Sequence, residues 1–568
     1  MTTQTKLEIK RNSKKGLIMD INSAITLAIE NVKKDGLTDV DVFALPFELS
    51  MIKDDVQIKI AQAIKDCLNQ NSIKSLRVSP ISHILFPKKE LFDFRKCAHI
   101  QPLDEMKYLS LVLQLAPKIE TMRIKKENKY IFSYRFHPEK GILFDQNYNY
   151  TSFREHVSRK SKNKEVNVVV SCDISNFYDR LNLHRLESIL ASLPNTDKKV
   201  VAQINELLLF WSNRDSYGLP VGSNASRILA EASLIEVDNY LISKKIDFCR
   251  FVDDYRFFAS NAATAHHWLS LLVDRLSKEG FFINTSKTEI KDVSQINHEV
   301  DLTPARVEMK LLAFSAETIN PTNLEEDTNQ DKKNISKIIR GYSGLIPTKF
   351  RKLTENEKRK LRFFNIEKSL EEIKSSVMIE PKKFIQLIKA SIAKENFSTL
   401  TELVSILNKF PQFLPYTLDA IKKNETEISD NDVLEISEKL KKWLVEWNSS
   451  EFILVYIVRF FGQGKFTNKT ILFEYFRSLR RNEGSYIGRA VLEQLEPLVN
   501  RGEVLEIRDY YSRADLWEKR QIARMVDIHI TDGEKRPFFK NILSLEDDIF
   551  LNNILNCFSQ KRQNTISE

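Results

Sequence analysis

The chain has 568 residues, 42% of them hydrophobic and 29% charged, a balance that excludes a disordered or fibrous protein and leaves room for several domains. Its net charge of +9 is compatible with a polyanionic partner. The five cysteines (Cys67, Cys97, Cys172, Cys249 and Cys557) are scattered and never paired as Cys-x-x-Cys, which argues against a disulfide framework or a zinc ribbon and for a reducing compartment. No apolar run approaches the roughly 20 residues of a membrane span, and the first residues hold no apolar signal core. A cytoplasmic protein with no membrane partner is expected.

Taken in order, residues 1–80 read as mostly helical, with amphipathic stretches from Ile21 to Val32 and from Val56 to Leu68. Residues 80–310 alternate β-rich runs, such as NVVVSCDIS and CRFVDDYRFFAS, with helical segments, which predicts an α/β or α+β catalytic core. The polar stretch NPTNLEEDTNQDKKN (320–334) predicts a linker or surface loop. Beyond about residue 350 the period is helical: Leu400, Leu403, Val404 and Leu407 share one face, and so do Ile436, Leu440, Trp443 and Leu444. Such helices in series predict a bundle or an α-solenoid of helical hairpins, with the solenoid preferred.

The residues that carry chemistry lie in the middle. Asp253 and Asp254 are adjacent inside an aromatic and β-branched run, where Asp is depleted. Two neighbouring carboxylates are costly to desolvate unless positive charge joins them, so a pair at a hairpin turn suits divalent metal. Asp173 ends a second β-rich run just before an aromatic pair. If the two strands lie side by side, the carboxylates share one site. Hard oxygen donors without His or Cys point to magnesium or manganese. Two such ions are the usual device for in-line attack at phosphorus.

The order of these motifs resembles the reverse transcriptase family. DISNFY is similar to its motif A, GLPVGSNASRILAE (218–231) to motif B, FVDD to motif C and FFINTSKTEI to motif D; VEMKLLAF (307–314) is a weaker match to motif E. The resemblance implies that Asp173 and Asp253 are the main metal ligands, with Asp254 auxiliary. It implies further that Tyr178 is an aromatic steric gate favouring deoxynucleotides, that Gly222 lies in the element under the nascent base pair, and that Lys287 contacts the triphosphate of the dNTP. FPKKELFDFRKCAHI (86–100) resembles the fingers hairpin, placing Lys88 and Arg95 on the incoming triphosphate; Arg135 is a further candidate cation. Where motif B usually carries Gln, this chain has Val221, which cannot donate a hydrogen bond there.

The implied fold is α+β, with right-hand-like fingers and palm followed by an all-α HEAT-like repeat domain. The boundaries drawn are an N-terminal helical extension (1–80), fingers and palm (81–315), a linker (316–345) and the helical domain (346–568). A polymerase core joined to such a domain resembles the bacterial abortive-infection enzymes of the AbiK and AbiA type and related unknown-group, defence-associated reverse transcriptases. That resemblance implies anti-phage defence, homo-oligomers and synthesis from dNTPs with two magnesium or manganese ions. In parts of the branch, single-stranded DNA is primed from a protein hydroxyl and stays covalently attached; in others a noncoding RNA is the template. The alternatives are a noncoding-RNA-templated reverse transcriptase of the retron or group II intron type and a reverse-transcriptase-like scaffold without catalysis. Arg524 and His529 have an R-x4-H spacing found in some helical RNases, and they read here as surface residues.

Overall fold

The structure is a computed structural model that describes residues 19–70, 76–88, 94–295, 347–377, 381–445, 449–479, 486–545 and 547–554. Strands β1 (Ser82–Pro87) and β2 (Phe94–His99) pair as an antiparallel hairpin, and β3 (Phe136–Glu139) and β4 (Ile142–Phe144) as a second. Strands β5 (Val168–Asp173), β6 (Phe248–Phe251), β7 (Asp254–Ala259) and β8 (Glu289–Asp292) form one antiparallel sheet in the order β6-β7-β5-β8. The architecture is α+β with a helical C-terminal region, as expected.

Two compact units divide the described residues. The first takes 19–39, 52–80 and 100–295. Its helix Ile21–Asp35 starts where the Asp20 carboxylate accepts from the amides of Asn22 and Ser23, and it buries Ile25, Ile29 and Val32. Helix Asp54–Asn69 buries Val56, Ile60, Ile64 and Leu68 on one stripe. At the centre is β5, whose Val168, Val169, Val170 and Cys172 are all buried, flanked by β7, in which every residue is buried. Val169, Phe258 and Cys249 of this sheet pack against Phe132, Phe153 and Val157.

The second unit takes 40–51, 81–99 and 347–554. The β1–β2 hairpin, placed by the sequence with the palm, is grouped here with the helices. Helix Glu451–Phe461 packs on β1, with Phe86 and Phe452 edge to face at 4.7 Å. From Glu355 onward each helix packs on its next or next-but-one neighbour, the contact pattern of a stacked helical array. The amphipathic faces read from the sequence point inward: Leu400, Leu403, Val404, Leu407, Ile436 and Leu440 are all fully buried.

His99 closes the end of the hairpin against this array. Its ring stacks between Phe43 (4.4 Å) and Trp517 (4.3 Å), with Tyr486 edge-on at 4.7 Å. Burial, reinforced by Arg489 and Arg459, drives the imidazole down to about 3, so it is held neutral. Beside it, Glu48 is fully buried and takes both terminal nitrogens of Arg489, at 3.2 and 3.1 Å. The expected linker and the motif E match lie outside the described residues.

Candidate active site

The site is built at one end of the central sheet. Strand β5 ends on Asp173, and β6 and β7 are joined by a two-residue turn, Val252-Asp253. Registry puts Asp173 directly opposite Asp254, and the amide of Ile174 donates to the Asp253 carbonyl at 3.0 Å. The structure therefore brings the three predicted carboxylate residues to one strand end, although 80 residues separate Asp173 from Asp253 in sequence.

Each is held differently. Lys287, in the short 3-10 turn Thr285–Lys287, places its ammonium 3.1 Å from Oδ2 of Asp173. The amide of Asn284 donates to the Asp173 carbonyl at 2.7 Å, and that of Ser175 to the Phe282 carbonyl at 2.7 Å, which fastens the motif D segment beside the strand end. Asp254 is buried and both of its oxygens are held by Arg256, itself fully buried. Burial pushes the Asp254 carboxyl up to about 7 against the opposing pull of Arg256, and the nearby Asp173 charge adds to the rise. Asp253 is half-buried.

Asp173 at the end of β5 and Asp253 in the adjoining β6–β7 turn are hard oxygen donors and fit a divalent cation. Asp254, engaged by Arg256, fits an auxiliary place. Among the described residues, no group of three or more His, Cys, Asp or Glu is gathered as a ready-made metal cluster.

Val252, the first residue of the turn, has φ of +57°. A β-branched residue disfavours that region strongly. Arg250 secures it: Nη1 donates to the Val252 carbonyl at 2.7 Å, one residue before Asp253. The same guanidinium, fully buried, grips Asp238 at 3.0 and 2.6 Å and Glu231 at 3.4 and 3.0 Å. Glu231 also receives Arg123 at 2.6 Å and Ser133 at 2.5 Å. Reading the sequence missed this network. Its one signal is ionisable residues inside apolar segments, as in RILAEASLIEVD and CRFVDD.

The motif A and motif B segments are joined backbone to backbone. Tyr178 is half-buried in the short helix Phe177–Arg180, and its carbonyl accepts from the Leu219 amide at 2.9 Å; the Gly218 amide donates to the Leu181 carbonyl at 2.9 Å. Gly218 and Gly222 have φ of +100° and +119°, which only glycine adopts readily. Ser223 then caps helix Asn224–Ser233, all of whose residues are buried. Val221 is buried, so the missing Gln is replaced by packing.

Three further cations were predicted: Lys88, Arg95 and Arg135. Lys88 and Arg95 lie on the hairpin of the second unit. Arg135 is turned into the core of the first: it donates to Glu120 at 3.0 Å and to the carbonyls of Ile124 and Ile131 at 2.6 and 3.2 Å. Its environment is that of a folding residue. Arg524 and His529 both reach Glu496, at 3.0 Å and, through its carbonyl, 2.8 Å, a helix-to-helix fastening.

Residues 114–314 match the family model described as reverse transcriptase (RNA-dependent DNA polymerase), roughly a third of the chain. No curated protein matches the sequence. Among solved structures, telomerase from Candida albicans with a TWJ fragment of telomeric RNA is 15% identical, with 80% of this chain and 72% of that one covered at a TM-score of 0.29. Telomerase from Candida tropicalis with the same kind of fragment is also 15% identical, with 67% and 64% covered at a TM-score of 0.29. Likeness at that level carries no weight beside the family match and the strand-end geometry. On these two grounds the chain carries a reverse transcriptase domain, the fold of a nucleic-acid polymerase, over residues 114–314.

Proposed function

We propose that the chain is a DNA polymerase of anti-phage defence, of the abortive-infection type, that joins deoxynucleotides by two-metal nucleotidyl transfer. One observation carries the reading: Asp173 and the Asp253 turn stand on neighbouring strands within the domain that matches the reverse transcriptase model. Asp173 and Asp253 would hold the two divalent cations, magnesium or manganese, with Asp254 in support. Ions held by these residues would supply a lowered pKa at the attacking hydroxyl and positive charge for the leaving oxygen.

The chain's own groups do the rest. Lys287 reaches the Asp173 carboxylate and supplies positive charge where a triphosphate would lie. Arg250 fixes the turn that aims Asp253. The Tyr178 ring, in this reading, excludes a ribose 2′-hydroxyl. Gly222 leaves room beneath the base pair. Priming is from a hydroxyl of the protein, without added template, in a homo-oligomer, and the single-stranded product stays attached.

The test is incorporation of labelled deoxynucleotides by the purified chain with magnesium or manganese, without template or primer. Label that migrates with protein until protease is added supports the reading. RNase-sensitive synthesis replaces protein priming with a noncoding RNA template. Asp253→Asn should abolish incorporation in a folded protein, and wild-type rates in that variant refute the site. Tyr178→Ala should raise ribonucleotide use relative to deoxynucleotide use; an unchanged ratio removes Tyr178 from the pocket.

A further inference from the structure

The second unit contains a stretch whose charge is out of proportion to its length. Residues 349–363 hold seven Lys and Arg against two Glu, in a chain whose whole net charge is +9. Both carboxylates are used locally. Glu357 forms the capping box of helix Glu355–Leu361 with Thr354 and takes Arg351 at 2.6 Å, and Glu355 takes Lys358 at 3.2 Å. That leaves Lys349, Lys352, Arg359, Lys360 and Arg362, all exposed and without an acidic partner among the described residues. Like charges so close repel one another and lower the stability of the segment that bears them. Their grouping is a cost to the isolated fold that a polyanion would relieve.

An aromatic ring stands among them. Phe363, in the turn between helices Glu355–Leu361 and Ile366–Ser375, is 93% exposed, more than any other large hydrophobic residue described. Its neighbour Phe364 is half-buried, and the Phe364 carbonyl accepts from Nζ of Lys394 at 2.8 Å, which fastens the turn and adds another exposed ammonium beside it. The turn is thus anchored on one side and offers a bare ring on the other.

Unpaired cations flanking an exposed aromatic ring match the chemistry of single-stranded nucleic acid: phosphates take the charge and an unstacked base covers the ring. A duplex supplies the phosphates but keeps its bases stacked away from such a ring. We propose that the Arg362-Phe363-Phe364 turn, with Lys352, Arg359 and Lys360, is a binding surface for single-stranded nucleic acid on the helical unit. It goes beyond polymerisation and does not depend on it.

The experiment uses the full chain carrying Asp253→Asn, so that binding is read without synthesis. Binding of a fluorescent fifteen-nucleotide oligo(dT) is followed by anisotropy over a range of salt concentrations. Phe363→Ala, at a fully exposed position, should weaken binding about tenfold and leave the salt dependence unchanged. Arg359→Ser with Lys360→Ser and Arg362→Ser should lower the slope of log affinity against log salt by about two. Lys441→Ser, a control cation paired with Glu474 elsewhere on the helical unit, should change neither. Unaltered affinity in both surface variants overturns the proposal. So does an equal loss from Lys441→Ser, a preference for duplex that ignores Phe363, or a Phe363-dependent attachment confined to anionic lipid vesicles. Because incorporation is measured separately with aspartate 253 intact, failure of this surface and failure of the polymerase reading are distinguishable.

Discussion

Arg250 and Arg489 are both fully buried guanidinium groups, yet they do different work. Arg489 closes on its surroundings. Glu48, Glu493 and the Trp517 carbonyl take its donors, and the rings of Phe47 and Trp517 cover its faces at 4.8 and 5.8 Å. Arg250 also satisfies two carboxylates, but one donor passes on to the carbonyl of a strained turn residue next to Asp253. Burying an ion pair stabilises little on balance, because desolvation offsets attraction. What such a pair does supply is a fixed geometry. In the helical unit that geometry fastens the short turn Phe47–Met51 to the helical array; in the polymerase unit it sets the position of a carboxylate.

The largest effect that separates the two comes from breaking each pair. Arg250→Gln leaves Glu231 and Asp238 short of their shared partner, and Glu48→Gln leaves Arg489 short of its own. Each should cost about 3–5 kcal/mol of stability, measured by urea unfolding. The comparison predicts that Arg250→Gln also weakens manganese binding under conditions where it is still folded, whereas Glu48→Gln leaves it unchanged. Equal manganese affinity in both variants would remove the distinction.

A smaller effect sharpens it through pH. Burial pushes Glu105 of the first unit up to about 8 from its ordinary 4.5, opposed by Ser223 and Arg227, and pushes Asp515 of the second up to about 6 from 3.8. A raised carboxyl is protonated in the fold while the unfolded chain is already ionised. Stability on its account therefore falls as pH rises from the unfolded value to the folded one. Glu105 acts between pH 4.5 and 8, Asp515 only between 3.8 and 6. From pH 6 to 8 the first unit alone should lose stability, by up to a few kcal/mol, since each tenfold change in proton affinity is worth about 1.4 kcal/mol. Asp254, raised to about 7 in the same unit, shares the decline below pH 7, so denaturation curves of Glu105→Gln should lack the part between pH 7 and 8, and an unchanged slope there would discount Glu105 as its source.

The smallest concerns backbone. Gly218→Ala meets no clash, since the added carbon would lie 3.6 Å from the nearest atom, the Asp179 carbonyl oxygen, but it forces φ of +100° on an L residue. A loss of about 1–3 kcal/mol should appear as a lower Tm. A Tm equal to wild type would mean that the motif A to motif B junction tolerates rearrangement.

Much of this was legible beforehand. Runs of β-branched and aromatic residues marked β5 and β7, and a 3.6-residue period marked the buried faces of helices Phe397–Ile406 and Asp430–Val445, because these signals are local. The convergence of Asp173 on the Asp253 turn was legible only through resemblance. The burial of Arg135, the Arg250 network and the grouping of residues 81–99 with the helices were not, because ion pairing and packing between segments far apart leave no period in the chain. Lys88 and Arg95 read as cations on the incoming triphosphate, carried by a hairpin; the grouping of that hairpin with the helices was not legible.

The stacking of His99 between Phe43 and Trp517 has a temporal consequence. His99 at the end of the hairpin and Trp517, which covers one face of its ring, are 418 positions apart in the chain (517 − 99). At ribosomal speeds of about 5–20 residues per second, Phe43 and the hairpin wait on the order of 20–80 s before Trp517 emerges. Through that interval the ring of His99, with Phe43 on its other face, lacks the cover of Trp517. The second unit is thus completed only once residue 517 has been made, so a nascent chain that stalls before it, with these aromatic rings uncovered, is a ready client for chaperones.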